Sequence, residues 1–479
     1  MGITTLALAT LAFANQPQGT ELTVYNQGFA LVKEHRTLDL KSGVQNVAVE
    51  DVAQMIESNS VAIKSLSAPG SFTVLEQNYQ YDLINVQAIL NKSVGMKIVF
   101  NRVNPDGRKE RIVGTLLSSP TAVVSNGNGG SGYSWNGMVV KTDDGRILLN
   151  PSGEVEVSSI PEGMISKPTL MWEVDSNRAG KNDVELSYIT QGMTWKCDYV
   201  LALDGAGKLG DFKGWVTLTN NSGATYTGAK LKLLAGEVFR DNRNEMLGGR
   251  GGSGGMMEKA ADANFQEEQF SEYHLYTMQR PASVRNNEMK QLSLLEAFNV
   301  PVTKKLVIDA NRGYWQFRPS ENVVGSGVIK PLVLIEFKND EASHLGMPLP
   351  MGSIKVFQRD KSDSLQMVGE ASIQHTPKNE KLSLPVGRAF DVVAERKRTE
   401  FHWLNGNSAS GCVETFEIEV RNRKDSEESV HVMERPWLDW KVTEKNMPYE
   451  KLDSNTIDFV VALKPNETRK VVYTVETHW

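Results

Sequence analysis

Two glutamates and two tryptophans have the side-chain chemistry that a sugar-handling protein needs. Glu237 in LLAGEV and Glu370 in VGEASI each follow a glycine in an otherwise mostly apolar segment of the sequence. Two carboxylates about 5–9.5 Å apart can hydrolyse a glycosidic bond. Trp437 and Trp440, in ERPWLDWKV, can stack on the apolar face of a sugar ring where they are exposed. In the alternative interpretation the glutamates are solvated residues at strand ends, and the tryptophans belong to the core, which is the commoner fate of tryptophan.

The histidines and cysteines show no spacing that predicts a metal site or a catalytic pair. His431 and Glu434 stand three residues apart, which suits a helix, but the surrounding pattern predicts a strand, where they point to opposite faces. A metal site assembled from separate strands stays open as an alternative, and no cofactor is predicted. Cys197 and Cys412 are interpreted as buried free thiols that pack as small hydrophobes. In an oxidising compartment, a disulfide between them is the alternative.

A tract rich in glycine and methionine contains two motif matches that we interpret as accidental. Residues 249–254 fit G-x-G-x-x-G, and residues 251–255 fit G-x-S-x-G. A dinucleotide site or a nucleophile elbow needs these glycines in a turn between a strand and a helix, and the sequence around the tract predicts no such unit. Residues 241–263 are therefore predicted to form a flexible linker that proteases cut near Arg250.

Strands in which every second residue is apolar must position all of these side chains. Between Trp195 and Leu203 the bulky residues occupy odd positions, and polar Lys196 and Asp198 lie between them. Because side chains on a strand point alternately to opposite faces, this pattern predicts a sheet with one dry and one wet side. The same alternation returns from Pro331 to the C-terminus. It predicts an all-β protein of antiparallel β-sandwiches, with an Ig-like C-terminal part that closes in a hairpin turning at 464–467.

The chain is long enough for several domains. Its 479 residues predict roughly two to four of them, because one hydrophobic core seldom serves so long a chain. About five short strands between Gly95 and Pro161 predict a small SH3-like barrel. Residues 86–92 are predicted to form one or two helical turns, and residues 288–298 are ambiguous between strand and helix. The predicted order is a signal peptide at 1–14, an N-terminal β region at 21–84, the small barrel at 85–165, a first β-sandwich block at 166–240, the linker at 241–263 and a C-terminal β-sandwich region at 264–479.

The N-terminal residues predict the location of this protein, and its overall charge indicates which partners to expect. An apolar run from Ile3 to Ala14 ends in Ala12-Phe13-Ala14, the small-x-small pattern of a signal-peptidase site. No Lys or Arg precedes Lys33, which fits a truncated signal peptide, and the alternative is an N-terminal strand. No segment has the length of about 20 apolar residues that a membrane helix needs, and a net charge of -6 disfavours nucleic acid as a partner. We therefore expect an extracytoplasmic protein, periplasmic or secreted, with no transmembrane segment.

Several strings of this sequence resemble one family of bacterial extracytoplasmic proteins. They are YITQGMTWKCDYVL, GWVTLTNNSGATYTGAKLKLLAGEV, LGMPLPMGSIKVFQRD, GEASIQHTP, VGRAFDV and VVYTVETHW, in this order between Thr169 and Trp479. The chain resembles the mucoidy-inhibitor-like proteins, whose C-terminal half is a domain of unknown function. The resemblance implies an all-β extracytoplasmic protein linked to capsule or exopolysaccharide control, and it implies no catalytic residue. Members with a coiled coil between their halves differ from this chain, in which the predicted barrel occupies that place.

Taken together, these features predict a non-enzymatic binding or structural component of the bacterial cell envelope. Its expected partner is envelope polysaccharide or protein. The second interpretation is a hydrolase that acts on envelope polysaccharide or peptide through carboxylates or a metal in a cleft between domains. A third is that the small barrel recruits a peptide partner.

Overall fold

The protein is almost entirely β. The computed structural model describes residues 12–14, 16–80, 82–103, 107–118, 121–126, 130–135, 137–151, 153–240, 265–310, 318–322, 326–406 and 410–479. Strands make up 63% of the structure and helices 4%, so the predicted all-β class is confirmed. None of the described helices has the length and apolar character needed to cross a bilayer.

The chain forms two compact units, called here unit 1 and unit 2. Unit 1 takes Met1–Thr194, Thr219–Lys232 and Pro281–Glu288. Unit 2 takes Trp195–Leu218, Leu233–Arg280 and Met289–Trp479.

The first half of the chain contains strands and one short helix. Many of the strands alternate apolar and polar residues, as strands with one buried face do. Their bounds are β1 Ala12–Phe13, β2 Gly19–Tyr25, β3 Phe29–Leu40, β4 Gly43–Glu50, β5 Ala62–Ser65, β6 Phe72–Gln80, α1 Val86–Lys92, β7 Lys97–Val103, β8 Lys109–Leu116, β9 Thr121–Asn126, β10 Gly130–Trp135, β11 Val139–Thr142, β12 Ile147–Leu149, β13 Glu154–Val157, β14 Thr169–Ser176, β15 Gly180–Gln191, β16 Met193–Leu203, β17 Leu209–Asn220 and β18 Tyr226–Ala235.

In the described residues of the second half of the chain, the elements are strands and short 3-10 turns. These strands are β19 Phe265–Phe270, β20 Tyr273–Met278, β21 Ala282–Val284, β22 Glu288–Pro301, β23 Thr303–Asp309, β24 Gly327–Ile329, β25 Leu332–Lys338, β26 Gly352–Arg359, β27 Leu365–Ile373, β28 Lys381–Arg388, β29 Val392–Trp403, β30 Gly411–Asn422, β31 Glu428–Glu434, β32 Asp439–Lys445, β33 Glu450–Asp453, β34 Thr456–Leu463 and β35 Thr468–His478.

Unit 1 contains two larger sheets whose strands come from distant parts of the chain. In one sheet β14 pairs with β4 and β6. In the other, β3 pairs with β2 and β15, and β15 also pairs with β5. The register of β3 with β15 runs unbroken from the pair Phe29 and Gln191 to the pair Leu40 and Gly180. It places the even-numbered residues of β3 on the buried face, and charged Glu34 and Arg36 are among them.

The end of the predicted signal peptide takes part in unit 1. Ala12 and Phe13 form the short strand β1, which pairs in parallel with Val47 and Ala48 of β4. A strand is what the alternative interpretation expects at this place, and the cleaved signal peptide stays a prediction.

The predicted small barrel has strands and a core of its own within unit 1. Its five-stranded sheet runs in the order β12, β11, β8, β7, β13, and β9 pairs with β10 beside it. The predicted helical turns at 86–92 are α1, and the predicted hairpins are β7 with β8 and β11 with β12. Leu90 of α1 packs with strand residues in a separate cluster: Ile98, Phe100, Ile112, Leu116, Met138 and Val140.

Among the described residues, three sheets consist mainly of strands from unit 2. Their strand orders are β22-β17-β16-β26-β27, β28-β25-β23-β31-β34-β33 and β24-β29-β30-β35-β32. The last two share one apolar core, because buried Ile418 and Val471 from one sheet cluster with Val432 and Phe459 from the other. This is the sandwich arrangement predicted for the C-terminal region.

Three observations bear on the sequence predictions. Residues 288–298, which were ambiguous between strand and helix, lie within strand β22. β34 and β35 belong to different sheets, so the closing hairpin predicted at 464–467 is wrong, and the turn carries the chain from one layer to the other. The strands of the 166–240 segment are divided between the two units. β14 pairs with β4 in unit 1, whereas β16 pairs with β26 in unit 2.

Candidate functional site: a polar cavity in unit 1

The two glutamates predicted from the sequence lie on the surface of unit 2. Glu370, on β27, accepts a hydrogen bond from Ser353 and pairs with Lys355 at 3.6 Å. These contacts, that of Ser353 first, hold the pKa of Glu370 below its usual value. Glu237 is exposed just beyond β18, near His375, whose pKa is lowered mainly by burial and only partly restored by the charge of Glu237. Each carboxylate has the surroundings of a solvated surface residue.

The two tryptophans predicted from the sequence are half-buried, each in a different environment. Trp437 packs edge to face against Trp479, with 5.6 Å between ring centroids. Trp440 packs on the sandwich core of unit 2 and donates its indole N–H to the carbonyl of Ser454 at 2.9 Å. The ammonium of Lys451 lies 4.6 Å from the centre of the same ring. Packing thus accounts for much of the surface of both rings.

The two cysteines do not form a disulfide in the structure. Cys197 on β16 and Cys412 on β30 are both free and buried, and they belong to different sheets of unit 2. Burial raises the pKa of each thiol to about 12. They therefore act as small apolar side chains, which is the first of the two interpretations.

Two of the histidines make close contacts with carboxylates. His431 contacts Asp458 at 2.7 Å, while Glu434 on the opposite, buried face of β31 binds Arg396. His274 contacts Glu267 at 2.7 Å. Among the residues that the structure describes, no group of three His, Cys, Asp or Glu side chains could hold a metal ion. The motif matches at 249–254 and 251–255 and the linker at 241–263 lie outside the described residues.

A cavity of about 510 Å³ in unit 1 is the candidate site. Its volume falls within the range of roughly 300–1,000 Å³ that small-molecule sites occupy. The lining residues come from separate parts of the chain and are mostly polar: Gln16, Pro17, Thr20, Glu34, Asp51, Val52, Pro168, Gly223, Ala224, Thr225, Tyr226, Thr227 and Asn286.

Two of the polar lining residues, Glu34 and Tyr226, are 2% and 3% exposed. The carboxylate of Glu34 accepts hydrogen bonds from Nε and Nη2 of Arg36 at 2.8 and 2.7 Å and from the hydroxyl of Tyr188 at 3.3 Å. The hydroxyl of Tyr226 has no hydrogen-bond partner of ordinary geometry within the described residues, although Tyr188 and Ser222 lie close enough to act on its pKa. Burial raises the pKa of Tyr226, so its phenol stays protonated and can donate.

Asp51 supplies a second carboxylate, half-buried where the chain leaves β4. Its φ of 60° lies in the left-handed region, which aspartate tolerates better than most residues. Its Oδ2 accepts hydrogen bonds from Lys167 at 2.7 Å and Gln16 at 2.8 Å. Partial burial raises the pKa of Asp51, but the hydrogen bonds and the charges of Lys167 and Arg36 outweigh it and leave this pKa below its ordinary value. The carboxylate is therefore ionised and compensated at neutral pH.

The turn after β17 forms a rigid wall of the cavity. The amide nitrogen of fully buried Asn220 donates to the carbonyls of Ala224, Val284 and Arg285, and its oxygen accepts from Ser222. Gly223 follows with φ 87°, and a Cβ there would lie 2.3 Å from the Cβ of Gln54. Only glycine fits this position, so the sequence Asn-Asn-Ser-Gly specifies the shape of the wall.

Sequence reasoning missed the charged residues of this site, although one signal for them exists. Glu34 and Arg36 share the face of β3 that carries apolar Ala30 and Val32. Two opposite charges two residues apart on the dry face of a strand predict a buried ion pair, because a lone buried charge is too costly. Nothing local, however, indicates that Asp51, Tyr226 and Asn286 meet beside this pair.

A scan against protein-family models finds no match to this chain, and no curated protein matches it either. The resemblance to the mucoidy-inhibitor-like proteins therefore stays a prediction. The function has to be argued from the geometry of the cavity.

Proposed function

We propose that this protein is a non-enzymatic binding protein of the bacterial cell envelope, which holds a small polar ligand in the cavity of unit 1. The observation that carries the proposal is a cavity of about 510 Å³ with a mostly polar lining that includes the half-buried carboxylate of Asp51. Polar groups that converge on a cavity of this size can fix the orientation of a small polar ligand by hydrogen bonds.

The surroundings of the two carboxylates favour binding over hydrolysis. A hydrolase of the retaining or inverting type needs one carboxyl group that gives up a proton near neutral pH. Arg36 and Tyr188 occupy both oxygens of Glu34, and the lowered pKa of Asp51 keeps it ionised. Both groups are thus arranged as fixed hydrogen-bond acceptors.

The extracytoplasmic location rests on the signal-like N-terminal residues and on the family resemblance. We expect an epitope-tagged chain expressed in its native host to fractionate with periplasmic or secreted proteins. N-terminal sequencing of that material should begin after the apolar run that ends at Ala14. Retention of Met1 in a cytoplasmic fraction would contradict this part of the proposal.

A ligand screen with a filled cavity tests the binding function. Thr227 is an exposed residue of the cavity wall, so Thr227→Trp should fill the space without disturbing a buried contact. Compounds that raise the melting temperature of the wild-type protein should have no effect on this variant. The matched control is Thr303→Trp at an exposed position of β23, which should respond as the wild type does.

Two results would count against the proposal. One is that no compound distinguishes Thr227→Trp from Thr303→Trp. The other is the release of hydrolysis products from an envelope polymer by the wild-type protein but not by Asp51→Asn, which would favour the hydrolase.

A further inference from the structure

We propose that the outer edge of strand β12 binds an extended segment of a partner protein as a further strand, and that this segment carries an apolar and an acidic residue two positions apart. β12 lies at one end of the five-stranded sheet, and no other strand of the described residues pairs with its outer edge. This surface belongs to the 85–165 segment, so its role does not depend on the cavity of unit 1.

The main-chain groups of β12 are divided between its neighbour β11 and the outer edge. Just beyond β12, the amide of Asn150 donates to the carbonyl of Met138 at 2.6 Å. Because hydrogen-bonded pairs alternate with non-bonded pairs along an antiparallel ladder, the N–H and C=O of Leu148 point to β11. Those of Ile147 and Leu149 point outward, where an added strand would form hydrogen bonds with them.

A row of apolar side chains crosses the outward face of this sheet and ends on β12. The amide of Leu117 donates to the carbonyl of Val139 at 2.7 Å, and Val139 stands opposite Leu149 in the register. Leu149 and its near neighbour Ile147 are 75% and 51% exposed. Apolar side chains grouped at an exposed sheet edge mark a binding surface or a site of aggregation.

The opposite edge of the same sheet shows how such an edge is protected when it is not used. Its strand, β13, has the sequence Glu-Val-Glu-Val, and both Glu154 and Glu156 are exposed. Exposed charges on an edge strand oppose the addition of an apolar segment. β12 has the sequence Ile-Leu-Leu and carries no charge, so an apolar strand can add to it.

Lys141 determines which charge the added strand should carry. It stands opposite Ile147 in the register, is exposed, and has no ion pair within the part of the chain that the structure describes. An added strand would lie two strand spacings from β11, roughly 10 Å, a distance that lysine and glutamate side chains bridge together. A carboxylate beside Ile147 would thus compensate Lys141, while an apolar residue two positions away would cover Leu149. β12 itself contains no carboxylate, so the charge favours a different protein over a second copy of this chain.

The test is a selection of phage-displayed random octapeptides on the immobilised full-length protein. We expect the enriched peptides to share an apolar and an acidic residue two positions apart, and a synthetic copy to bind in fluorescence anisotropy. Leu149→Lys places a charge on the edge, and Lys141→Glu replaces attraction with repulsion, so each should weaken this binding by about tenfold. A selection repeated on Lys141→Glu should enrich a basic residue in place of the acidic one.

Leu149 and Lys141 are both exposed, so neither variant removes a buried contact. The control is Leu75→Lys at an exposed position of β6, which should bind the peptide as the wild type does. The proposal is overturned if no peptide is enriched, if the enriched peptides lack this pair of residues, or if either edge variant leaves the binding unchanged. A wild-type dimer in analytical ultracentrifugation that Leu149→Lys converts to a monomer would also overturn it, because a second copy would then occupy the edge.

Discussion

Buried charges are the residue-scale feature that most shapes this protein. In unit 1, Arg36 forms a buried ion pair with Glu34. In unit 2, Arg396 forms a buried ion pair with Glu434 at 2.6 Å, and this carboxylate also accepts a hydrogen bond from Tyr473. Desolvation makes such pairs weak sources of stability, but it makes the loss of one partner expensive. The carboxylate of the pair in unit 1 lines the cavity described above, whereas that of the pair in unit 2 is fully buried within the sandwich. We therefore interpret the pair in unit 2 as structural and the pair in unit 1 as part of a binding site.

The two cysteines give a prediction at the same scale. With each pKa raised to about 12 by burial, about one thiol in ten thousand is ionised at pH 8. We expect neither Cys197 nor Cys412 to react with iodoacetamide in the folded protein at pH 8. Both should react in denaturant, even when the protein has been purified without reductant. A count of zero thiols in denaturant that becomes two after reduction would show instead that they pair.

At the scale of elements, one sequence pattern recurs at the ends of three strands. It is an apolar residue, any residue, an apolar residue, any residue and asparagine, and it ends at Asn220, Asn339 and Asn422. All three asparagines are fully buried. Asn339 donates to the carbonyls of Met347 and Pro377, and Asn422 donates to those of Ser426 and Lys464. Each side chain thus fixes the loop that follows its strand by binding main-chain carbonyls that would otherwise be buried without a partner.

Asn220 allows a direct test of this role beside the cavity. Asn220→Ala removes the donors to three carbonyls and the acceptor for Ser222, so we expect it to lower the free energy of unfolding by about 2–3 kcal/mol. The neighbouring Asn221 is exposed, and Asn221→Ala should change the stability by less than about 0.5 kcal/mol. Urea denaturation of the two variants beside the wild type measures both effects. Equal stability of the two variants would remove Asn220 as the anchor of the turn.

On the scale of the whole molecule, chain order and spatial order differ. The chain changes unit after residues 194, 218, 232, 280 and 288. Each unit therefore consists of several chain segments, so cleaving the chain at one position cannot separate the two units. The segment of residues 85–165, predicted to be a small barrel, is different, because the residues at its two ends meet. Leu83 bridges Ile165, and the amide of Ile84 donates to the carbonyl of Ile165 at 2.9 Å.

This geometry predicts that the predicted barrel can be removed while the rest of unit 1 keeps its fold. In a variant with residues 85–164 replaced by a short glycine-serine linker, we expect soluble expression and cooperative thermal unfolding. The core of the barrel is a separate cluster, so its loss should open no cavity elsewhere. The contrasting variant lacks residues 85–176, and so also β14, which pairs with both β4 and β6. It should fail to fold, and a first variant that aggregates like the second would contradict the prediction.

Several features could be predicted from the sequence because they depend on neighbours along the chain. Alternation between Trp195 and Leu203 shows which face of a strand is dry, and all five odd-numbered residues of that segment are buried. The residue types of Asn220–Gly223 also favour a turn, since glycine and asparagine adopt backbone angles that others avoid. The turn at 464–467 was also predicted correctly as a turn, although not as a hairpin.

The pairing of strands depends on contacts between residues far apart in sequence. Only the tertiary structure decided which strands pair. Alternation is the same whether a strand pairs with its neighbour in sequence or crosses to another sheet, which is why β34 and β35 were expected to pair. The cavity has the same origin, because Gln16, Glu34, Asp51, Tyr226 and Asn286 meet only when distant segments pack together. By itself the sequence determined the period of burial, which is a local property of the β-backbone. The partners of each strand, and therefore the site, were decided by long-range packing.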